Sequence, residues 1–360
     1  MKLLRSLGSV LLFGCRLGVH ASQLWARGGA GFAGGAPSCD QIGTNDRAVV
    51  LDLINEVRGG PTPPQEISTK HAVLVAPGEP LLAGRDLAAN AYASMPVGFR
   101  DGKFGTTFTK FVVVGHGEKA KSPMGISLGD DVCGNPGWVD KDAATFLRTK
   151  APKNLRNQSP KVLQCKTDPA SCPERLGETL RQQLPFLSVI SNASLPGNTL
   201  PVMMQTQAAP LAVSVGDALA MLVGSGGVWE AESVLFVFGA DLSAGVAADV
   251  SDYCDANTAQ VVTQKALPQV VKHMTDLWKA SSDTRCNKAS LPRSYGTILA
   301  ASRLAGTLGL TETRYEVSRS PMPKEFSKLK GDADPSVLGY GSMMFWQNEG
   351  GAGQKLSSQR

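Results

Sequence analysis

Four short runs of almost unbroken apolar residues constrain this chain more than any other feature. They are Ala72–Ala76, Phe111–Gly115, Leu200–Met204 and Val234–Gly239. Each is strand-sized and lacks the alternation that one wet face imposes. Strands buried on both faces belong to parallel sheets covered by helices, and helix-length segments separate these runs. The predicted class is therefore α/β, a single large domain whose mostly parallel central sheet is flanked by helices.

The intervening pattern supports this class. Helices are predicted from Asn45 to Val57, Gly84 to Met95, Asp140 to Arg148, 174 to 187, Val215 to Leu222, Asp255 to Ala280 with an interruption at Pro268, and Ser294 to Leu308. The spacing of Ile298, Leu299, Ala301 and Leu304 lays one apolar face along the last. Closing strands are predicted at Tyr315–Ser318 and Gly339–Trp346. Residues 121–173 are rich in Gly, Pro, Lys and Asp and read as an irregular insertion. The boundaries that follow are 1–39 for a leader and Gly/Ala linker, 40–347 for the α/β domain, and 348–360 for a polar flexible tail.

With 42% hydrophobic and 19% charged residues, the chain can bury a core, which excludes wholesale disorder. Its 39 glycines follow no three-residue period, which excludes a collagen helix. No apolar run reaches the roughly 18 residues of a spanning helix.

The formal charge of +5 is concentrated at one end. Residues 1–39 hold Lys2, Arg5, Arg16 and Arg27 and no acid; without them 32 basic residues face 31 acidic ones. An acid-free, Arg- and Ser-bearing leader fits a mitochondrial presequence, so the expected location is the matrix or the matrix face of the inner membrane. The near-neutral remainder lacks the footprint of a nucleic-acid binder. The seven cysteines, Cys15, Cys39, Cys133, Cys165, Cys172, Cys254 and Cys286, form no CxxC pair. They are expected to be reduced thiols, with a Cys165–Cys172 disulfide as the alternative.

Several collinear segments carry a resemblance. Ala76-Pro77, Gly84 and Ala88-Ala89-Asn90-Ala91-Tyr92 match an Ala-Pro-His-Ala-Gly-Tyr segment and the helix after it. Val113-Val114-Gly115 matches a strand leading into Gly-Pro-Ser-His-His. Leu184-Pro185-Phe186-Leu187 matches the end of a Glu-His-Ser-Ile-Glu helix. Leu200-Pro201-Val202, Phe238 to Ser243, and Gly339 to Met343 follow in order. Over about 70–347 the chain thus resembles the Memo family, whose fold is that of the class III extradiol dioxygenases.

The resemblance implies a metal-type site built from imidazoles at the carboxyl ends of the strands. In this chain the matching positions hold other groups. The first histidine falls in Gly78-Glu79-Pro80, the histidine pair at Glu118 and Lys119, the helical His and Glu at Glu178 and Arg181, and the last ligand at Ala244. A divalent ion needs about three neutral or anionic donors, and Lys119 and Arg181 would repel it. The resemblance therefore implies a divergent member with no catalytic residue, cofactor or metal ligand of the family's kind.

The remaining chemistry-bearing residues read as structural. His116 ends a buried strand without a partner histidine, and His71 and His273 read as packing or surface residues. Asp241 reads as the cap of the turn after its strand. Cys286, between Arg285 and Lys288, would need a histidine partner to act as a nucleophile. Ser243 lacks the Gly-x-Ser-x-Gly elbow, and Gly224–Gly227 lacks the Gly-Lys-Ser/Thr of a phosphate loop, so it reads as a turn. Lys103, Lys110, Lys119, Lys121 and the stretch from Lys150 to Lys161 read as solvated loops.

The function expected is that of a structural subunit in a large mitochondrial assembly, an inner-membrane respiratory or ATP-synthase-type complex. Its partners would be other protein subunits, and any membrane association would be peripheral, through them. The alternatives are a mitochondrial ribosomal protein in contact with ribosomal RNA, and a metal-dependent oxygenase or thiol-redox enzyme with relocated residues.

Overall fold

Each apolar run of the sequence forms a strand in the computed structural model: β1 (His71–Ala76), β4 (Lys110–His116), β6 (Thr199–Met204) and β7 (Val234–Gly239). The structure describes residues 45–59, 69–78, 84–95, 97–100, 103–106, 108–116, 126–128, 136–152, 155, 183–191, 195–204, 208–281, 284–321 and 337–347. The four runs lie side by side in the order β6-β4-β7-β1 and pair in parallel. Antiparallel strands complete both flanks. β5 (Ile126–Leu128) pairs with β6, and β10 (Val337–Trp346) pairs with β1. β8 (Asp241–Val246) continues the β1 side of β10, and β9 (Glu312–Pro321) covers the other side of β10 along its length. A separate hairpin joins β2 (Val97–Arg100) to β3 (Lys103–Thr106). The fold class is thus α/β with a mixed sheet that is parallel through its centre.

The strand period of two divides the core between the two faces. Val73, Val75, Val112, Val114, Phe236 and Phe238 point to one face, where they meet α5 (Ala209–Ala220), α6 (Ala248–Gln264), α7 (Leu267–Lys279) and α8 (Tyr295–Thr307). Ala72, Leu74, Phe111, Val113, Leu235 and Val237 point to the other. There they meet α1 (Asn45–Arg58), α2 (Arg85–Ala93) and the helical residues 183–190, α4. Helix α3 (Lys141–Lys150) packs on the first face. α5 and α8 approach so closely at Gly216 that a Cβ there would lie 2.6 Å from the Ala300 carbonyl oxygen.

Several boundaries differ from the sequence expectation. α5 starts at Ala209, ahead of the expected Val215, because Pro210 opens its first turn without needing an amide partner. The interruption at Pro268 is a full break that gives two helices, α6 and α7. Pro185 lies within the helical residues 183–190, so that helix runs past the expected end at 187; 174–182 lie outside the described residues. The described part of 121–173 includes strand β5 and helix α3, whose N-cap Asp140 accepts from the Ala143 amide. The leader, the tail and the remainder of that insertion lie outside the described residues.

Candidate functional site

Open α/β sheets place ligands outside the carboxyl ends of their parallel strands. In this chain β1, β4 and β7 end there at Ala76, His116 and Gly239. The structure fills the end of β1 with its own polar groups. Asp241 Oδ1 accepts from the Gly78 amide at 2.9 Å. A Cβ on Gly78 would lie 2.9 Å from that same oxygen, so the backbone is pressed against the carboxylate. One residue back, the Pro77 carbonyl accepts from Gln183 Nε2 at 2.8 Å, and Gln183 Oε1 accepts from the Tyr92 hydroxyl at 2.7 Å. Gln183 and Tyr92 are fully buried, and Tyr92 stacks on Phe186 with centroids 4.9 Å apart. Burial raises the Tyr92 pKa well above that of a free phenol, which keeps the hydroxyl a donor. A Cβ on Gly84 would meet Pro77 Cβ at 2.5 Å, which fixes α2 over the same spot.

A second buried cluster lies just beyond, on β8. Asp255 Oδ2 accepts from Ser251 Oγ at 2.6 Å and from Ser243 Oγ at 2.8 Å, while its Oδ1 accepts from the Ser243 amide. All three residues are buried. Burial raises the Asp255 pKa, and the serine donors and amide offset it only in part. Gly339 is required on the facing strand, since a Cβ there would fall 1.8 Å from Asp255 Oδ2. A Ser-Ser-Asp set resembles nucleophilic machinery, but Ser243 has no exposed surface and no histidine takes part.

Two expected roles are corrected, those of Lys110 and of the cysteines, and a third, that of Asp241, is extended. Asp241, expected as the cap of its own turn, opens β8 and also ties down the end of β1, 163 residues away in sequence. Lys110 is not in a solvated loop. It opens β4 and pairs with the buried Asp140 at 2.7 Å, also donating to Asn198 Oδ1 at 2.9 Å. Trp229 Nε1 donates to the same Asp140 oxygen at 3.1 Å. Cys254 and Cys286 are not reduced thiols but form a disulfide across 32 residues. The other five cysteines lie outside the described residues.

His71 opens β1; burial and then Lys70 lower its pKa to about 4. His273 on α7 meets Thr258 Oγ1 through Nε2 at 3.0 Å. His116 is the last residue of β4. Gly224–Gly227 lies in a turn, where Gly226 has φ of 75° and donates its amide to Glu230. Of the positions that the resemblance assigns to ligands, Gly78 and Ala244 are described; Glu79, Pro80, Glu118, Lys119, Glu178 and Arg181 lie outside the described residues. Among the described residues, no three His, Cys, Asp or Glu side chains converge as a metal site would need. A cleft between α2 and β9–β10, lined by Asn90, Ser94, Arg314 and Glu316, holds about 10 Å³, the space of a single water. Among the described residues, no helix is long and apolar enough to cross a membrane.

No protein-family model matches the chain, and no curated protein matches it.

Proposed function

We propose that this chain is a catalytically inactive, Memo-like scaffold serving as a structural subunit of a large mitochondrial assembly, an inner-membrane respiratory or ATP-synthase-type complex. The observation that carries the reading is the end of β1. Where the resemblance calls for an imidazole, Gly78 lies against Asp241, and Gln183 spans Tyr92 and the Pro77 carbonyl. At the last ligand position Ala244 offers a methyl group. Such a scaffold keeps its packed layers and leaves its loops free to contact other proteins.

The mitochondrial part of the reading rests on residues 1–39. The Cys254–Cys286 bridge bears on the side of the inner membrane, because disulfides persist in oxidising compartments and are rare in reducing ones. It supports the intermembrane side over the matrix that the leader alone suggests. Native electrophoresis of detergent-solubilised mitochondria, followed by mass spectrometry of what co-migrates, tests the subunit reading. Co-migration with a defined set of subunits is expected; migration as a lone monomer would overturn it. Alkylation of intact organelles before lysis tests the location, with Cys254 and Cys286 expected to be protected until a reductant is added.

A further inference from the structure

Among the described residues, two aromatic side chains are more than half exposed, Tyr253 at 52% and Trp278 at 53%. Both lie against one short loop. Arg285 Cζ lies 4.2 Å over the Tyr253 ring, and Lys288 Nζ lies 4.2 Å over the Trp278 ring. The loop is fixed in several ways. Cys286 is bonded to Cys254, the buried neighbour of Tyr253. Thr284 Oγ1 donates to the Cys286 carbonyl at 2.9 Å, and Asn287 Oδ1 caps the following 3-10 turn by accepting from the Ala289 amide. The two cations are therefore held in place before any ligand arrives, which lowers the entropy lost on binding.

We propose that this surface, Tyr253, Trp278, Lys279, Arg285 and Lys288, is the docking site for an acidic segment of another protein. The proposal rests on the subunit reading above and names the chemistry of one contact. Charge complementarity selects the occupant. The nearby acids already have cations: Asp276 pairs with Lys272 at 2.5 Å, Asp249 lies 3.9 Å from Arg285, and Asp252 pairs with Arg319. No described carboxylate pairs with Lys279 or Lys288. One face of each ring already carries the protein's own cation, which disfavours a second cation stacking beside it. A carboxylate instead completes each Arg or Lys, while the ring edges and the stems of the cations supply apolar contact. Trp, Tyr and Arg are also the residues that dominate protein–protein binding energy. An anionic membrane or an RNA needs a wider basic face, and the cations that flank this one, Lys272 and Arg319, are taken up by Asp276 and Asp252.

The test uses the oxidised full chain, with octaglutamate, octalysine, cardiolipin-containing vesicles and a single-stranded RNA as probes. Octaglutamate is expected to bind saturably and to perturb Trp278 emission, assigned by difference from Trp278→Phe. The double variant Arg285→Glu, Lys288→Glu is expected to weaken it at least tenfold, with Lys150→Glu on α3 as an unaffected control. Circular dichroism separates loss of the site from loss of the fold. Absence of octaglutamate binding, binding indifferent to charge reversal, or preference for the vesicles or the RNA would each overturn the proposal. The same double variant in native electrophoresis separates the two readings. If it co-migrates with the assembly as well as the parent does, the docking site fails and the subunit reading stands. If the parent binds the peptide but joins no assembly, the subunit reading fails alone.

Discussion

The two ends of the parallel sheet are closed by different physics. At the amino end an ion pair is largely shielded from solvent: Lys110 and Asp140 meet beside Trp229 and Asn198. At the carboxyl end the polar groups are mostly uncharged or bonded to backbone: Tyr92 to Gln183, Gln183 to Pro77, and Gly78 to Asp241. The amino end is a charged clamp that joins β4, β6, α3 and the turn before β7. At the carboxyl end, the described residues tie the end of β1 to Gln183 and Asp241, in the place where this architecture ordinarily keeps its chemistry. The ion pair that joins the strands thus lies at the end opposite to the one where such sheets place their ligands.

The largest effect is expected at the clamp. Asp140→Ala strands the Lys110 ammonium, orphans Trp229 Nε1 and removes the cap of α3. A loss of about 3–5 kcal/mol in denaturant unfolding is expected for breaking such a pair; a loss below 1 kcal/mol would show that the clamp is incidental. Gly339→Ala comes next. Its Cβ collides with the Asp255 carboxylate, at a cost of about 1–3 kcal/mol for forced repacking. Tyr92→Phe follows at about 1–2 kcal/mol, the cost of leaving the buried Gln183 oxygen unpaired. Both are read from the same unfolding curves.

Acidification sharpens the contrast by sign. Burial raises the Asp140 pKa, but the Lys110 ammonium, the Ala143 amide and Trp229 together outweigh it, and the net shift is downward from 3.8. Its contribution is present above the unfolded value and lost as pH falls through the lower folded one. His71, at the same end, adds a loss that begins near 6.5 and ends near its folded value of about 4. Asp255 works in the opposite sense. Its raised pKa means that the folded chain holds the proton longer, so stability falls as pH rises from 3.8 through the folded value. His71→Leu should flatten the slope between pH 6.5 and 4, and Asp255→Asn should remove a slope of opposite sign. Identical slopes in the parent and both variants would contradict these assignments.

The four central strands were legible because burial on both faces leaves little but Val, Leu, Phe and Met in the sequence, and each run lies within a residue of its strand. β5, β8 and the β2–β3 hairpin were not legible. They are three to six residues long and carry Gly, Ser, Lys or Asp, so their apolar pattern is too weak to separate from a loop. Asp241 and Ala244 could be singled out by position, but the group that Asp241 contacts lies 163 residues away. The clamp was missed for the same reason. Lys110, Asp140, Asn198 and Trp229 come together only once the strands are ordered, and the capping signal at Asp140 was the one local hint. The Cys254–Cys286 pairing left no spacing signature, since it follows from the packing of the loop after α7 on α6.

The central claim is that the carboxyl end of the sheet holds no metal and the chain works by contact. Elemental analysis of the full chain, purified from its native source without chelators, tests this most directly. The account predicts far less than one iron, copper or zinc per chain; one tightly held ion per chain, surviving gel filtration, would contradict it.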